Sequence, residues 1–166
     1  MFEKGEMVYY GTAGVCKVGD ICKSPFDKSD DRMYYMLEPG DFSGGTIIYA
    51  PAEGGKVTLR ALMAKDEAEA LIASMASLEP MVITNEKHRR EEYRTALREG
   101  TPLSIARIIK TIYERRKKAI KAQKRLSDTD AEFDKTARRA FIGEIACVLG
   151  IGNDEAERLI DDSLKN

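Results

Sequence analysis

The residues of this chain best equipped for chemistry are cations. NEKHRREEYR (85–94) sets Lys87, Arg89 and Arg90 at the start of a polar helix, where backbone amides also favour phosphate. RRKKAIKAQKR (115–125) holds seven Lys and Arg in eleven positions, beginning with Arg115 and Arg116. Such groups neutralise phosphates, and a surface built from them binds polyanions with a steep salt dependence. The chain has no tryptophan, and no aromatic is interleaved with the basic run to stack on bases or wedge a step. The pattern indicates docking to phosphate rather than base readout. The alternative is a solvated helix face that serves solubility.

Catalytic constellations are scarce. Gly11-Thr-Ala-Gly14 lacks the third glycine, the following helix and the lysine of a phosphate-binding loop. Asp128 and Asp130 imitate a metal pair, but at a helix start such acids serve as caps. The one histidine, His88, stands among Lys87, Arg89 and Arg90; a single imidazole supplies neither a zinc cage nor a Ser-His-Asp triad. Cys16, Cys22 and Cys147 make an odd count without CxxC spacing, which predicts reduced structural thiols, with Cys16 and Cys22 on one strand face. The expectation is a protein that is not an enzyme, with no catalytic residue, no metal, no cofactor and no small-molecule substrate.

Charge is segregated along the 166 residues, although the formal net charge is only -1. Residues 1–86 hold 8 basic and 14 acidic side chains, residues 87–125 hold 14 and 4, and residues 126–166 hold 5 and 10. A basic block between two acidic ones acts as a local polyanion surface even on a neutral protein. With 43% hydrophobic and 33% charged residues the chain reads as soluble and globular. No apolar run approaches the roughly 20 residues of a membrane span. MFEKGEMVYY carries charges where a secretory signal needs an apolar stretch, so a cytoplasmic location is expected.

Two textures must position these groups. MVYY (7–10), VCKVGDIC (15–22), RMYYML (32–37), TIIYA (46–50) and KVTLR (56–60) read as short strands, separated by turns such as SPFDKSDD (24–31), PGDFSGG (39–45) and PAEGG (51–55). Five strands with no helix between them predict a small antiparallel barrel of SH3 or Tudor type over residues 1–62. An open sheet of this kind offers edge strands for pairing with another chain.

From residue 63 to 166 the periodicity is helical. KDEAEALIASMASL (65–78) places Ala68, Leu71, Ile72 and Met75 on one face, and Glu79-Pro80 ends it. Thr84-Asn85 caps a helix over about 86–99 that Gly100 stops. Thr101-Pro102 opens a third helix with Ile105, Ile108, Ile109, Ile112 and Ile120 inward. Arg107, Lys110, Arg115, Arg116, Lys117, Lys118 and Lys121 fall on its other side. Ser127 starts a fourth helix with Phe133, Ala137, Phe141, Ile145, Val148 and Leu149 inward, and Asn153 caps a fifth with Ala156, Leu159, Ile160 and Leu164. The fold class is α+β in two domains, a β-barrel followed by an all-α bundle of about five helices.

The opening GEMVYYGTAGVCKVGDI, the strand and turn TIIYAPAEG (46–54), and TNEKHRREEYRTALREGTPLSIARIIKTIYERRKK with RRAFIGEIA downstream resemble the CarD family of bacterial transcription regulators. The likeness spans nearly the whole chain. It implies a Tudor-like module that binds RNA polymerase, related to one in a transcription-repair coupling factor, followed by a helical module that touches promoter DNA.

Carried onto these residues, the resemblance implies pairing of an edge strand with the polymerase β subunit through Ile47, Ile48 and Tyr49, with Lys23 at a strand end. Tyr49 falls where the family often has an arginine. Lys87, Arg89, Arg90, Arg115 and Arg116 would meet promoter DNA, mainly its phosphate backbone, and stabilise the open complex on the nucleoid. The family's tryptophan wedge sits directly after Asn85, where this chain has Glu86, a carboxylate that repels phosphate. That departure keeps a second reading open, a polymerase-binding adaptor without productive DNA contact.

Overall fold

The computed structural model describes residues 1–40 and 45–166. Most of the turn expected over 39–45, including Gly44, lies outside the described residues. Strands β1 (Met7–Tyr10), β2 (Gly14–Lys23), β3 (Met33–Pro39), β4 (Ile48–Pro51) and β5 (Leu59–Ala61) form one antiparallel sheet in the order β4-β3-β2-β1-β5. Five helices follow, α1 (Lys65–Ser74), α2 (Arg89–Glu99), α3 (Pro102–Lys121), α4 (Asp128–Leu149) and α5 (Asn153–Lys165). The chain is thus α+β, with a sheet half and a helical half. Returning β5 beside β1 is the strand order of a small open barrel, and β4 and β5 are left as its edges.

Alternation builds the sheet's own core from Val8, Cys16, Val18, Tyr35, Leu37 and Ala50. One irregularity changes that alternation. Val18 pairs with Leu37 but Ile21 pairs with Tyr35, so Gly19 and Asp20 together oppose Met36. This β-bulge adds one residue, and the side chains beyond it change faces. Ile21 therefore shares the face of Val18, and Cys22 lies opposite Cys16 rather than beside it as the bare spacing predicts. Among the described residues no two cysteines form a disulfide.

The helical core gathers Ile105, Ile108, Ile109 and Ile112 of α3 around Phe133, Phe141 and Ile145 of α4, with Tyr93, Met75 and Ile160. Burying each large aliphatic or aromatic side chain contributes about 1.5–3 kcal/mol. Helix ends follow the sequence signals. Asn85, Thr101 and Ser127 accept backbone hydrogen bonds at their helix starts, and Gly100 and Gly150 close α2 and α4 at φ of 62° and 67°. Asn153 is the first residue of α5, and Gly152 holds the cap position.

The apolar stripe of α3 ends before its sequence pattern does. Ile120 is 68% exposed because the helix outruns the core, which closes at Ile112. Leu159 of α5 is also exposed rather than inward. Lys110 departs in the opposite sense. Its side chain is buried, and Nζ donates to the Ala76 carbonyl at 2.7 Å and pairs with Glu114 at 3.2 Å. Placed beyond the end of α1, it satisfies a carbonyl that the helix leaves without a donor.

Candidate functional site

The candidate residues fall into two places. On the sheet, among the described residues β4 pairs with β3 alone, so its far side presents unpaired backbone. Leu37 lies opposite Ile48, and Met36 opposite Tyr49, so Ile48 packs on the sheet core and Tyr49 stands on the other face. Phe26, 76% exposed, meets the Tyr49 ring edge-on at 5.4 Å. Ile47, just before β4, is exposed, as are Met33 and Ile21. Lys23 is not part of this group. It ends β2, two strands inward and opposite Met33, where it faces Asp31 at 3.3 Å. Phe26, the side chain that extends the Tyr49 surface, carries no signal in a sequence that reads 24–31 as a plain turn.

In the helical half the expected basic surface is largely occupied by its own carboxylates. Asp130, in the first turn of α4 and buried, accepts hydrogen bonds from Tyr93 Oη at 2.8 Å and Arg115 Nε at 2.8 Å, and Arg89 Nε lies 3.1 Å away. The Arg89 contact is an ion pair without hydrogen-bond alignment, since Nε has no bonded partner. Arg115 also grips Glu86 with both terminal nitrogens at 3.1 Å, and Arg89 bonds Glu86 and Ser127. Burial pushes the Asp130 carboxyl up, but the bonds from Arg115 and Tyr93 outweigh it and hold it below its ordinary value. Arg115, by its hydrogen bond and charge, lowers Glu86 in the same way. Tyr93 is raised by burial and by its bond to Asp130.

Two further arginines are paired at half-exposed positions. Arg90 meets Glu132 at 3.2 Å and Thr129 at 3.1 Å, and Arg116 meets Asp134 at 3.1 Å. Asp134 is buried and shared with Arg138, which also bonds Asp161 at 2.7 Å. Capping chemistry alone gives no hint of these roles for Asp130 and Asp134. The register of α3 against α4, invisible in one sequence, creates them.

Cations without an internal ion pair lie beside this network. Among the described residues, Lys87, Lys118, Lys121 and Lys124 are exposed and face no carboxylate within ion-pair distance. Lys118 and Lys124, with Arg115 and Arg125, line an open hollow of about 360 Å³ between the end of α3 and the start of α4. The larger hollow, about 700 Å³ between α2 and residues 81–82, is lined by Glu91, Glu92 and Glu99, with Arg107 as its one Lys or Arg. His88 borders that acidic hollow. Among the described residues no group of His, Cys, Asp or Glu is placed to hold a metal, and no helix is long and apolar enough to cross a membrane.

An exposed sheet edge in one half and a cationic helix end in the other define a two-part α+β protein equipped for macromolecular surfaces. Residues 63–161 match the family model described as CarD, C-terminal domain. That match covers more than half of the chain, and the chain belongs to the CarD family. The family comprises transcription regulators, not enzymes, that work with RNA polymerase. Comparison with the curated proteins returned no match.

Proposed function

We propose that this chain is a transcription regulator that docks on the RNA polymerase β subunit through residues 1–62 and stabilises the open promoter complex through residues 63–166. The polymerase contact runs along β4, with Ile47, Ile48 and Tyr49 presented beside free backbone and Phe26 extending the apolar surface. Lys23, two strands inward and paired with Asp31, stands outside this contact. No cofactor, metal or small-molecule substrate enters this mechanism, and the site of action is the cytoplasmic nucleoid.

The observation that carries the DNA half is the cluster of unpaired lysines around the α3–α4 hollow. Phosphate meets Lys87, Lys118, Lys121 and Lys124 first. Arg90 and Arg116, each about 40% exposed, join by turning from Glu132 and Asp134. Arg89 and Arg115 hold Glu86 and Asp130 and serve as the scaffold of the surface rather than its contact points. Any contact stronger in the open than in the closed complex shifts that equilibrium about tenfold per 1.4 kcal/mol.

The second reading, a polymerase adaptor without productive DNA contact, is favoured by Glu86, whose carboxylate occupies Arg89 and Arg115. A salt titration of binding to duplex and forked DNA separates the two. A log–log slope of at least three neutralised phosphates supports DNA contact, and no binding at low salt leaves the adaptor.

A further inference from the structure

We propose that Arg60 and Glu144 are positioning residues that lock the sheet half to the helical half, so that the β4 edge and the cationic end of α3 act as one rigid body. The transcriptional consequence rests on the function proposed above; the mechanical claim does not.

Arg60 lies on β5, an edge strand, and Glu144 lies in the C-terminal half of α4. Glu144 is fully buried, and Arg60 Nη1 and Nη2 donate to its two oxygens at 2.7 and 2.8 Å in a fork-to-fork pair. Glu144 Oε1 also accepts from the Met63 backbone amide at 2.9 Å, in the segment joining the two halves. Arg60 Nε donates to the Gly100 carbonyl at 2.7 Å, and its guanidinium stacks 4.1 Å above the Tyr9 ring. Thr58, just before β5, lies with Oγ1 2.7 Å from the Arg98 carbonyl and 2.9 Å from that of Glu99. Thr58 and Arg60 therefore take the terminal carbonyls of α2 and a fully buried carboxylate of α4.

The fit is close at two glycines of the same seam as well. A Cβ on Gly14, at the start of β2, would stand 3.3 Å from the Ala140 backbone of α4. A Cβ on Gly100 would stand 3.2 Å from Thr58, at a φ of 62° that L side chains rarely adopt.

Stability alone does not require a charge pair here, because apolar residues of similar volume fill such a site as well or better. A bidentate guanidinium–carboxylate pair adds direction. It has one favourable relative orientation, whereas an apolar contact tolerates sliding and rotation. The covalent link between β5 and α1 is only residues 62–64, and such a link constrains distance but not angle. Angle is what matters if one half is held by a protein partner and the other must reach DNA.

The test uses the full-length protein and Arg60→Lys, Glu144→Gln and the double variant Arg60→Met/Glu144→Met. The double variant avoids an uncompensated buried charge and remains informative if a single variant fails to fold. Residual dipolar couplings report whether one alignment tensor fits both halves. We expect one tensor for the parent and two for the variants. Separate affinities for the isolated polymerase β lobe and for duplex DNA should stay within twofold, while the gain in open-complex lifetime falls at least fivefold. A double variant that keeps one tensor and the full gain overturns the proposal. A parent protein that binds neither the β lobe nor DNA overturns the proposed function instead, and the tensor result then judges the lock by itself.

Discussion

Glu86 and Arg115 meet across 29 residues of sequence, both carboxylate oxygens lying 3.1 Å from the two terminal guanidinium nitrogens. The residue that looks least suited to a cationic surface is thus the partner that fixes one of its arginines. Glu86 is itself mostly exposed, so the pair contributes little to stability, about 0–1 kcal/mol.

Replacing Glu86 by Gln should therefore release Arg115 and Arg89 toward phosphate. Duplex affinity is expected to rise by about threefold to tenfold at low salt, with the salt slope steeper by about one unit. Fluorescence anisotropy across a salt series measures both. Weaker binding by the variant would show that Glu86 organises the DNA surface instead of competing with it.

On the function proposed above, Lys118→Glu combined with Lys121→Glu should reduce the salt slope by about two units, because neither lysine has an internal ion pair to compete with phosphate. Thermal unfolding should barely move, since both side chains are exposed and their replacement falls within about 0.5 kcal/mol. An unchanged slope would place the DNA surface elsewhere.

Asp130→Asn should destabilise the helical half by about 3 kcal/mol, because Arg89 and Arg115 lose a buried counter-charge. The folded-state pKa of Asp130 is depressed, so its contribution is complete above the ordinary carboxylate range and is lost as pH falls below about 4. Chemical denaturation as a function of pH should show a shallower acid limb for the variant than for the parent. Equal acid limbs would mean that Asp130 does not govern this loss.

Tyr49→Asp should abolish binding to an isolated polymerase β lobe, at least tenfold, and Phe26→Ala should weaken it by about threefold to tenfold through the lost ring contact. Calorimetric titration gives the affinities, and near-native circular dichroism guards against unfolding. Undiminished binding by both variants would move the partner away from β4.

Much of this arrangement was legible in the sequence because it depends on local rules. The caps at Asn85, Thr101 and Ser127, the stop at Gly100 and the isoleucine period of α3 are local patterns, and the structure carries each of them. Relations between elements were not legible. Arg115 and Lys110 look equally solvent-bound on a helical projection, yet one reaches Asp130 of α4 and the other the end of α1. Ile120 continues the periodic stripe, but periodicity does not report where the neighbouring helix ends. Glu144 reads as one more polar position on α4, and its role emerges only when β5 folds back against it.

The extra residue in β2 has a consequence for how this edge of the molecule tolerates change. Because Gly19 and Asp20 share one partner, everything from Ile21 to Lys23 is written in the opposite parity to Cys16 and Val18. Removing either residue would abolish the bulge yet leave Ile21, Cys22 and Lys23 opposite Tyr35, Tyr34 and Met33, on the faces they now hold. A single-codon deletion here would therefore straighten one strand tip without exchanging its faces, whereas the same deletion in a regular strand turns over every side chain beyond it.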